Sequence, residues 1–498
     1  MRISTQMFYQ RNVDSMQGHQ SKLSQQNIHL STQKRVIHGS DDAVAISTIQ
    51  RLKQDVSVGE QYIKNGDAAE SANSLEGISL SQVTNILQRV RELTVKAGND
   101  TNSEDNRDVL ATELEGLLDE LVGVANTKDG NSQYIFSGYQ VDTQPFQKNE
   151  FGTVDYHGDD GSKSYRVGPG VLVEGNDAGS TVFTKIAEGN GTFVSEGNLA
   201  NTGSGVIDSA SVIDQKAAKD FVEQDYTISI SEPTPGADPE YSVYGLDDTA
   251  VTGNANVKVS SVDPTNATFP VGTVGSSADV VFTETAPLSG QFNVTIGGVA
   301  TVPAVYDSTV VTTPAASFAI NGISIEVDGI PATTDTYSMT NYVEPTVYKE
   351  GQSIEFNGIK TTIKGNVEHL DNFTLRQSGE KDIFSTIQYT IDLLRIPGED
   401  GPAKAQRTMG LEMAHLQIDN AISNVTKVHT SVGSRTRTIV NQRESSLDFN
   451  LTNQKTLSGL EDLDMAAAIS QFKLQMSQLE VSQQTFMQLQ SLSLFKML

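Results

Sequence analysis

Apolar residues recur at alternating steps of three and four near both ends of the chain, a period that predicts long amphipathic helices. Tyr9, Val13, Met16, Gln20, Leu23, Asn27 and Leu30 form one such seam. Ala45, Ile49, Leu52, Val56, Gly59 and Ile63 form a second, Val83, Ile86, Val90, Leu93 and Ala97 a third, and Leu110, Leu114, Leu117, Leu121 and Val124 a fourth. Toward the other end, Ile383, Ile387, Ile391 and Leu394 precede a breaker at Pro397-Gly398. A longer seam follows, through Leu411, His415, Ile418, Ile422, Val425, His429, Val432, Thr436 and Ile439. The last one runs Met465, Ile469, Phe472, Met476, Leu479, Gln483 and Phe486. Each reads as one helix of a bundle. At a rise of about 1.5 Å per residue, a helix from Leu411 to about Leu451 is on the order of 60 Å long, which implies a rod.

The pattern changes between about Val141 and Leu375. Gly, Thr, Val, Asp and Pro dominate there, and short alternations such as Tyr226-Thr227-Ile228-Ser229-Ile230 and Phe292-Asn293-Val294-Thr295-Ile296 predict strands. Ser324-Ile325-Glu326-Val327-Asp328-Gly329 is echoed by Ser353-Ile354-Glu355-Phe356-Asn357-Gly358, and Asp335 to Met339 by Asp371 to Leu375. Two related β subdomains account for this partial repeat, and so does chance likeness between hairpins.

The order helix, sheet, helix predicts an α+β multidomain chain: a long antiparallel coiled coil or bundle built from both chain ends, carrying an inserted all-β outer region. The expected divisions are 1–40 with 455–498 as a terminal helical domain, 41–150 with 376–454 as a helical bundle, and 151–375 as the β region. About 186–345 is expected to be nested within the last as a second subdomain. Gln20, Asn27 and Gln483 stand at core-type positions, where amides cost stability but fix register or accept contacts from additional neighbours. The apolar stripes are modest, so both ends are expected to order on assembly. Closure into a stable intramolecular coiled coil is the competing expectation, which proteolysis of the monomer separates.

Between the first two seams, Gly39 stops a helix, Ser40 caps the next, and Asp41 and Asp42 fall in its first turn, where carboxylates complement the dipole.

The 498 residues contain no Cys and no Trp, so aliphatic packing must make the cores without disulfides or thiolate-bound metal. A net charge of -27 argues against nucleic acid or an anionic membrane as a partner. No apolar run is long enough for a secretory signal or a membrane span, which predicts a cytosolic chain or one exported without a cleaved signal.

Catalysis needs a convergent nucleophile, base and charge stabiliser, and the sequence offers few candidates. His415 and His429 lie about 21 Å apart along a helix, too far to ligate one metal, and suit seam or intermolecular contacts better. The most site-like cluster, His157-Gly158-Asp159-Asp160-Gly161, lacks the ligand alternation and distal Glu of a calcium loop and fits a turn between strands. No catalytic, metal-binding or cofactor-binding residue is expected.

One segment carries a family likeness. Asn131-Ser132-Gln133-Tyr134-Ile135-Phe136-Ser137-Gly138, followed by Thr143-Gln144-Pro145-Phe146, resembles the exit from the helical core in the flagellin superfamily, in its hook–filament junction branch. Supporting it are Met1-Arg2-Ile3-Ser4, Gly39-Ser40-Asp41-Asp42, Val432-Gly433-Ser434-Arg435, Glu461 to Ala466 with Asp464 among them, and the apolar tail Ser491 to Phe495. Most of residues 186–340 lie outside the likeness. Ala43 stands where the family often places Pro, and Val481-Ser482 where an Ala-Ser pair is common.

The resemblance implies a structural, non-enzymatic subunit of the bacterial flagellum, exported through the type III channel and kept unassembled by an export chaperone. It implies copies layered at the hook tip on hook-associated protein 1, with flagellin docking next. Ile3, Met7, Tyr9, Val13, Met16, Leu23, Leu30, Met465, Ile469, Phe472, Met476, Leu479, Phe486 and Leu494 would make the assembly interface. Asp41, Asp42, Tyr134, Phe136, Gly138, Phe146, Gly433, Arg435 and Asp464 would be family positions. The rivals are filament flagellin itself and an enzyme or adhesin domain displayed on a flagellin-like scaffold.

Overall fold

The structure is a computed structural model. It describes residues 5–99, 102–149, 152–219, 225–247, 256–262, 277–284, 291–296, 299–307, 316–320, 323–328, 331 and 335–494. Its helices are α1 (Thr5–Thr32), α2 (Ala43–Ala97), α3 (Glu104–Ala125), the short α4 (Gln215–Lys219), α5 (Ile383–Leu394), α6 (Gly401–Glu461) and α7 (Met465–Leu494). Strands occupy the stretch from Phe146 to Lys381. The chain is therefore α+β, with long helices from both ends and a β-rich middle.

The second and third seams lie on one helix, not two. Residues 65–73, Asn-Gly-Asp-Ala-Ala-Glu-Ser-Ala-Asn, look like a break because they lack large apolar side chains. They continue α2 because the seam there uses small residues: Ala69 is fully buried, and a Cβ on Gly66 would rest 3.7 Å from Ile439. The start of α2 also differs from expectation. Asp42 caps it, accepting from Ala45 N at 2.9 Å, while Asp41 accepts from Ile37 N and His38 N and closes the preceding turn. α1 has already ended at Thr32, with Gln33 in the left-handed region at φ 57°. At 61 residues, α6 is about 90 Å long.

By compactness the chain forms two units. One comprises Met1–Ser71, Ser164–Gly175 and Ser434–Leu498; the other comprises Ala72–Lys163 and Asn176–Gly433. α2 and α6 contribute to both.

In the second unit the helical core is aliphatic. Leu80, Val83, Leu87 and Val90 of α2, Leu114, Leu118 and Leu121 of α3, Ile387 and Ile391 of α5, and Ile418 and Val425 of α6 are essentially inaccessible. Ser103 caps α3 and Asp382 caps α5. Two-residue strands at Ile186–Ala187 and Glu380–Lys381 then pair antiparallel, so the chain enters and leaves the outer β region side by side. Asn420 and Asn424, one turn apart on α6, donate to the carbonyls of Ala187, Gly189, Thr181 and Val182.

An eight-stranded antiparallel sheet dominates the β region. Its order is Val299–Asp307, Gln291–Ile296, Ser277–Glu284, Thr336–Val347, Glu240–Asp247, Asp225–Ser231, Asn372–Gln377, Phe193–Gly197. Alternation along Glu240–Asp247 places Tyr241 and Val243 in one core and Tyr244 and Leu246 in another, so the sheet is covered on opposite faces by different layers. The strands holding the echoed segments 335–339 and 371–375 flank the central pair, Glu240–Asp247 and Asp225–Ser231, one on each side.

Candidate assembly interface

The first unit is built around an antiparallel corner. After α1, Arg35 N donates to Glu461 O at 2.7 Å, Leu463 N donates to Gln33 O at 2.9 Å, and Lys34 bridges Asp462. The Glu461 carboxylate, 7% exposed, takes Lys34 at 2.5 Å and Lys53 at 2.8 Å. Burial pushes its pKa up, but the hydrogen bonds from the two lysines outweigh that and hold it below the ordinary carboxylate value. Asp464 accepts from Ala466 N and Ala467 N and so caps α7. The corner thus ends α1 and starts α7 so that the two helices run antiparallel.

Where they face each other, the seam on α7 is Ala468, Phe472, Gln475, Leu479, Ser482 and Phe486. On α1 it is Asn12, Met16, His19, Leu23, Gln26 and Leu30, with Val13 half-buried beside them. The seam read from the sequence is rotated relative to this one. Gln20, Asn27 and Gln483 are exposed, and the amides of the pair are instead Asn12, Gln26 and Gln475. Gln26 Nε2 donates to Ala468 O at 3.4 Å, whereas Gln475 Oε1 is buried without a hydrogen-bond partner. Period alone cannot separate two stripes that share Phe472, Leu479 and Phe486.

The expected interface residues therefore divide. Val13, Met16, Leu23, Leu30, Phe472, Leu479 and Phe486 meet between α1 and α7; Met7, Met465, Ile469 and Met476 are turned outward and exposed. Leu474, Val481 and Met487 join them as exposed apolar side chains. Ile3 and the side chains of Tyr9 and Leu494 lie outside the described residues.

A second inversion occurs between α2 and α6 of the same unit. Their seam includes the polar Ser446, Asn450 and Asn453, with Gly59 packed so tightly on Asn450 that any Cβ would clash. The apolar Leu447, Phe449 and Leu451 stand half exposed. A groove of about 410 Å³ beside them is lined by Val58, Tyr62, Pro169 and Phe449. The hairpin of Ser164–Gly168 and Val171–Glu174 packs Val167 and Val173 on Ala69 and Ile439, with Arg435 reaching Glu174 at 3.0 Å.

On the longer α6 seam, His415 is half-buried, but His429 is exposed and Val428 takes the inward position. Gly433 has open space around it.

In the second unit, the segment after α3 folds into an aromatic cluster. Phe146 lies 5.2 Å from Phe183, 5.0 Å from Tyr156 and 5.1 Å from Phe384, and Phe136 meets Phe183 edge-on at 5.3 Å. Phe183 sits on a π-helical turn, Ser180–Thr184, and sequence reasoning missed both it and Phe384. Tyr134 lies under Lys128, 4.5 Å from its Nζ. Gly138 adopts φ +71°, and a Cβ there would clash with Asp159. Asp159 Oδ1 accepts from Tyr139 N and Gly161 N, and Asp160 is engaged by Ser180 and Lys185. Both carboxylates of the His157 to Gly161 turn are thus tied into the fold. Among the described residues no group of three or more His, Asp or Glu side chains is placed to hold a metal, and no helix is long and apolar enough to cross a membrane.

The family description "Bacterial flagellin N-terminal helical region" matches residues 3–141. Over that part the chain is similar to the flagellin superfamily. Within the superfamily, it is 38% identical over 186 residues to flagellar hook-associated protein 3 of Salmonella typhimurium strain LT2, an alignment covering 37% of this chain and 58% of the relative. The chain thus spans less than two thirds of that relative's length. Two solved superfamily members from Legionella pneumophila extend the likeness further along the fold. Flagellar hook associated protein-3 is 27% identical with a TM-score of 0.59, covering 83% of this chain and 98% of that one. A chain described as a flagellar junction protein is 27% identical with a TM-score of 0.56, covering 84% and 100%. The superfamily match ends at residue 141, just before Phe146 enters the aromatic cluster that closes the helical core.

Proposed function

We propose that this chain is a structural subunit of the bacterial flagellum that joins hook to filament, assembling with copies of itself, hook-associated protein 1 and flagellin. What carries the reading is the α1/α7 pair, an incomplete two-helix element that leaves Met465, Ile469, Met476 and Met487 exposed, in a chain similar to hook-associated protein 3. Exposed apolar stripes beside a seam with buried amides are what a helix shows when further neighbours complete it. In this scheme 1–40 with 455–498 forms the innermost tube, 41–150 with 376–454 the next shell, and the β region, 151–375, the outside. The chemistry is packing, with no bond made or broken. The subunit leaves through the flagellar export channel, held unassembled by a chaperone on α7.

Labelling the protein in cells and deleting its gene tests this. Label confined to one point at the hook tip, with capped hooks and flagellin shed on deletion, is the expected result. Label along the whole filament would make it a filament flagellin instead, and normal filaments without it would end the junction reading.

A further inference from the structure

The chain has no Cys and no Trp, so its ten methionines are the side chains that mild oxidants reach first. Burial divides them. Met339 and Met409 sit in the cores of the β region at 0% and 9% exposure, and Met16 and Met413 are half-buried. Met465, Met476 and Met487 on α7 are 38%, 49% and 62% exposed. These three follow one another at a constant step of about three helical turns, or about 16 Å, so they keep to one side of the helix. Ile469, also exposed, falls in the same sector. The seam that faces α1, with Phe472 and Leu479, lies roughly a quarter turn away, and Lys473 and Glu480 border the stripe on its other side.

A thioether is apolar and flexible, which suits a surface that must fit against a neighbour. Leucine at the same places would offer similar apolar volume, but only the thioether can be switched. Its sulfur lone pair attacks one oxygen of hydrogen peroxide, the O–O bond breaks, and the second oxygen leaves as water. The sulfur loses two electrons and the peroxide gains them. The S=O dipole so formed needs a hydrogen bond that an apolar contact cannot supply. We propose that Met465, Met476 and Met487 form an oxidation-sensitive stripe: peroxide turns them to sulfoxides in the free subunit and blocks its addition to the polymer, whereas contact between subunits shields those already in place. The inference rests on the assembly role proposed above for α7. The block is reversible, because a dithiol-dependent sulfoxide reductase removes the oxygen as water while its own thiols become a disulfide.

The test exposes the full chain in dilute solution to hydrogen peroxide and locates the added oxygen by peptide mass mapping. Met465, Met476 and Met487 should oxidise about tenfold faster than Met339 and Met409. The treated chain is then given to cells lacking its gene. Its binding to their flagella should fall about tenfold and recover after treatment with methionine sulfoxide reductase. A chain carrying Met465→Leu, Met476→Leu and Met487→Leu should bind like the wild type and stay competent after peroxide. That variant keeps Met7 and Met16, so an equal loss on oxidation would move the sensitivity elsewhere and overturn the proposal. Stripe methionines that oxidise no faster than Met339, or equally fast in free and assembled chains, would overturn it too. Met476→Glu separates this inference from the assembly reading. If that variant binds normally, the stripe is no interface and both fail; if it is excluded while the sulfoxide form is accepted, only the oxidation switch fails.

Discussion

The α3 seam and the α7 seam have nearly the same spacing and opposite fates. On α3, Leu110, Leu114, Leu118 and Leu121 vanish into a core shared with α2, α5 and α6, all within one unit. On α7, Ala468 alone among the described seam residues is fully buried, and Phe472, Leu479 and Phe486 are half covered by a single partner helix. A helix needs neighbours on more than one side to bury an apolar stripe wider than a two-helix seam, and among the described residues α7 packs along α1 alone. The difference separates a region whose apolar stripe is buried within its own unit from one whose apolar side chains stay largely exposed.

Substitutions should split along that line. Leu114→Ala, in the self-sufficient core, should cost about 2–5 kcal/mol in chemical denaturation. If Leu479→Ala on α7 costs as much in the monomer, the comparison fails. Gly138→Ala comes next, at about 2 kcal/mol, since it strains a positive-φ position and pushes on Asp159. Glu461 should make the terminal corner acid-sensitive. Its pKa is lowered in the fold, so its stabilisation is present above about pH 4.5, the ordinary value, and is lost as pH falls through the folded value. Circular dichroism melts from pH 6 to 3 should show this loss, about 1 kcal/mol, and Glu461→Gln should abolish its pH dependence.

Smaller still in the monomer is Leu479→Ala, under about 1 kcal/mol because its site is half covered, although polymer incorporation should fall sharply. Met476→Glu sharpens the contrast most. It should leave monomer melting unchanged within about 0.5 kcal/mol, as exposed substitutions do, yet block incorporation into flagella.

Much of this was visible in the spacing of apolar residues. The helices and the β middle follow from it, whereas the Phe136 to Phe146 exit came from the family likeness alone. Rotation about a helix axis was not visible. Met465, Ile469 and Met476 make a better apolar seam than Ala468, Gln475 and Ser482, and only the position of α1 decides which one faces inward. The single α2 was hidden by Gly66 and Ala69, small residues that read as a break until Ile439 is placed over them. Asp42 rather than Ser40 as the cap was open to local sequence alone, since both residue types suit the position. Phe183 and Phe384 were unreadable because they come to Phe146 from distant parts of the chain.

The two-residue ladder joining Ile186–Ala187 to Glu380–Lys381 has an architectural consequence. Because the strands entering and leaving are neighbours, everything strung between Glu188 and Gly379 forms a cassette with one entry, which α6 steadies further by Gln406 donating to Leu199 O and by Met409 packing into its core. Its contents can be lengthened, shortened or exchanged without altering the distance the helices must span.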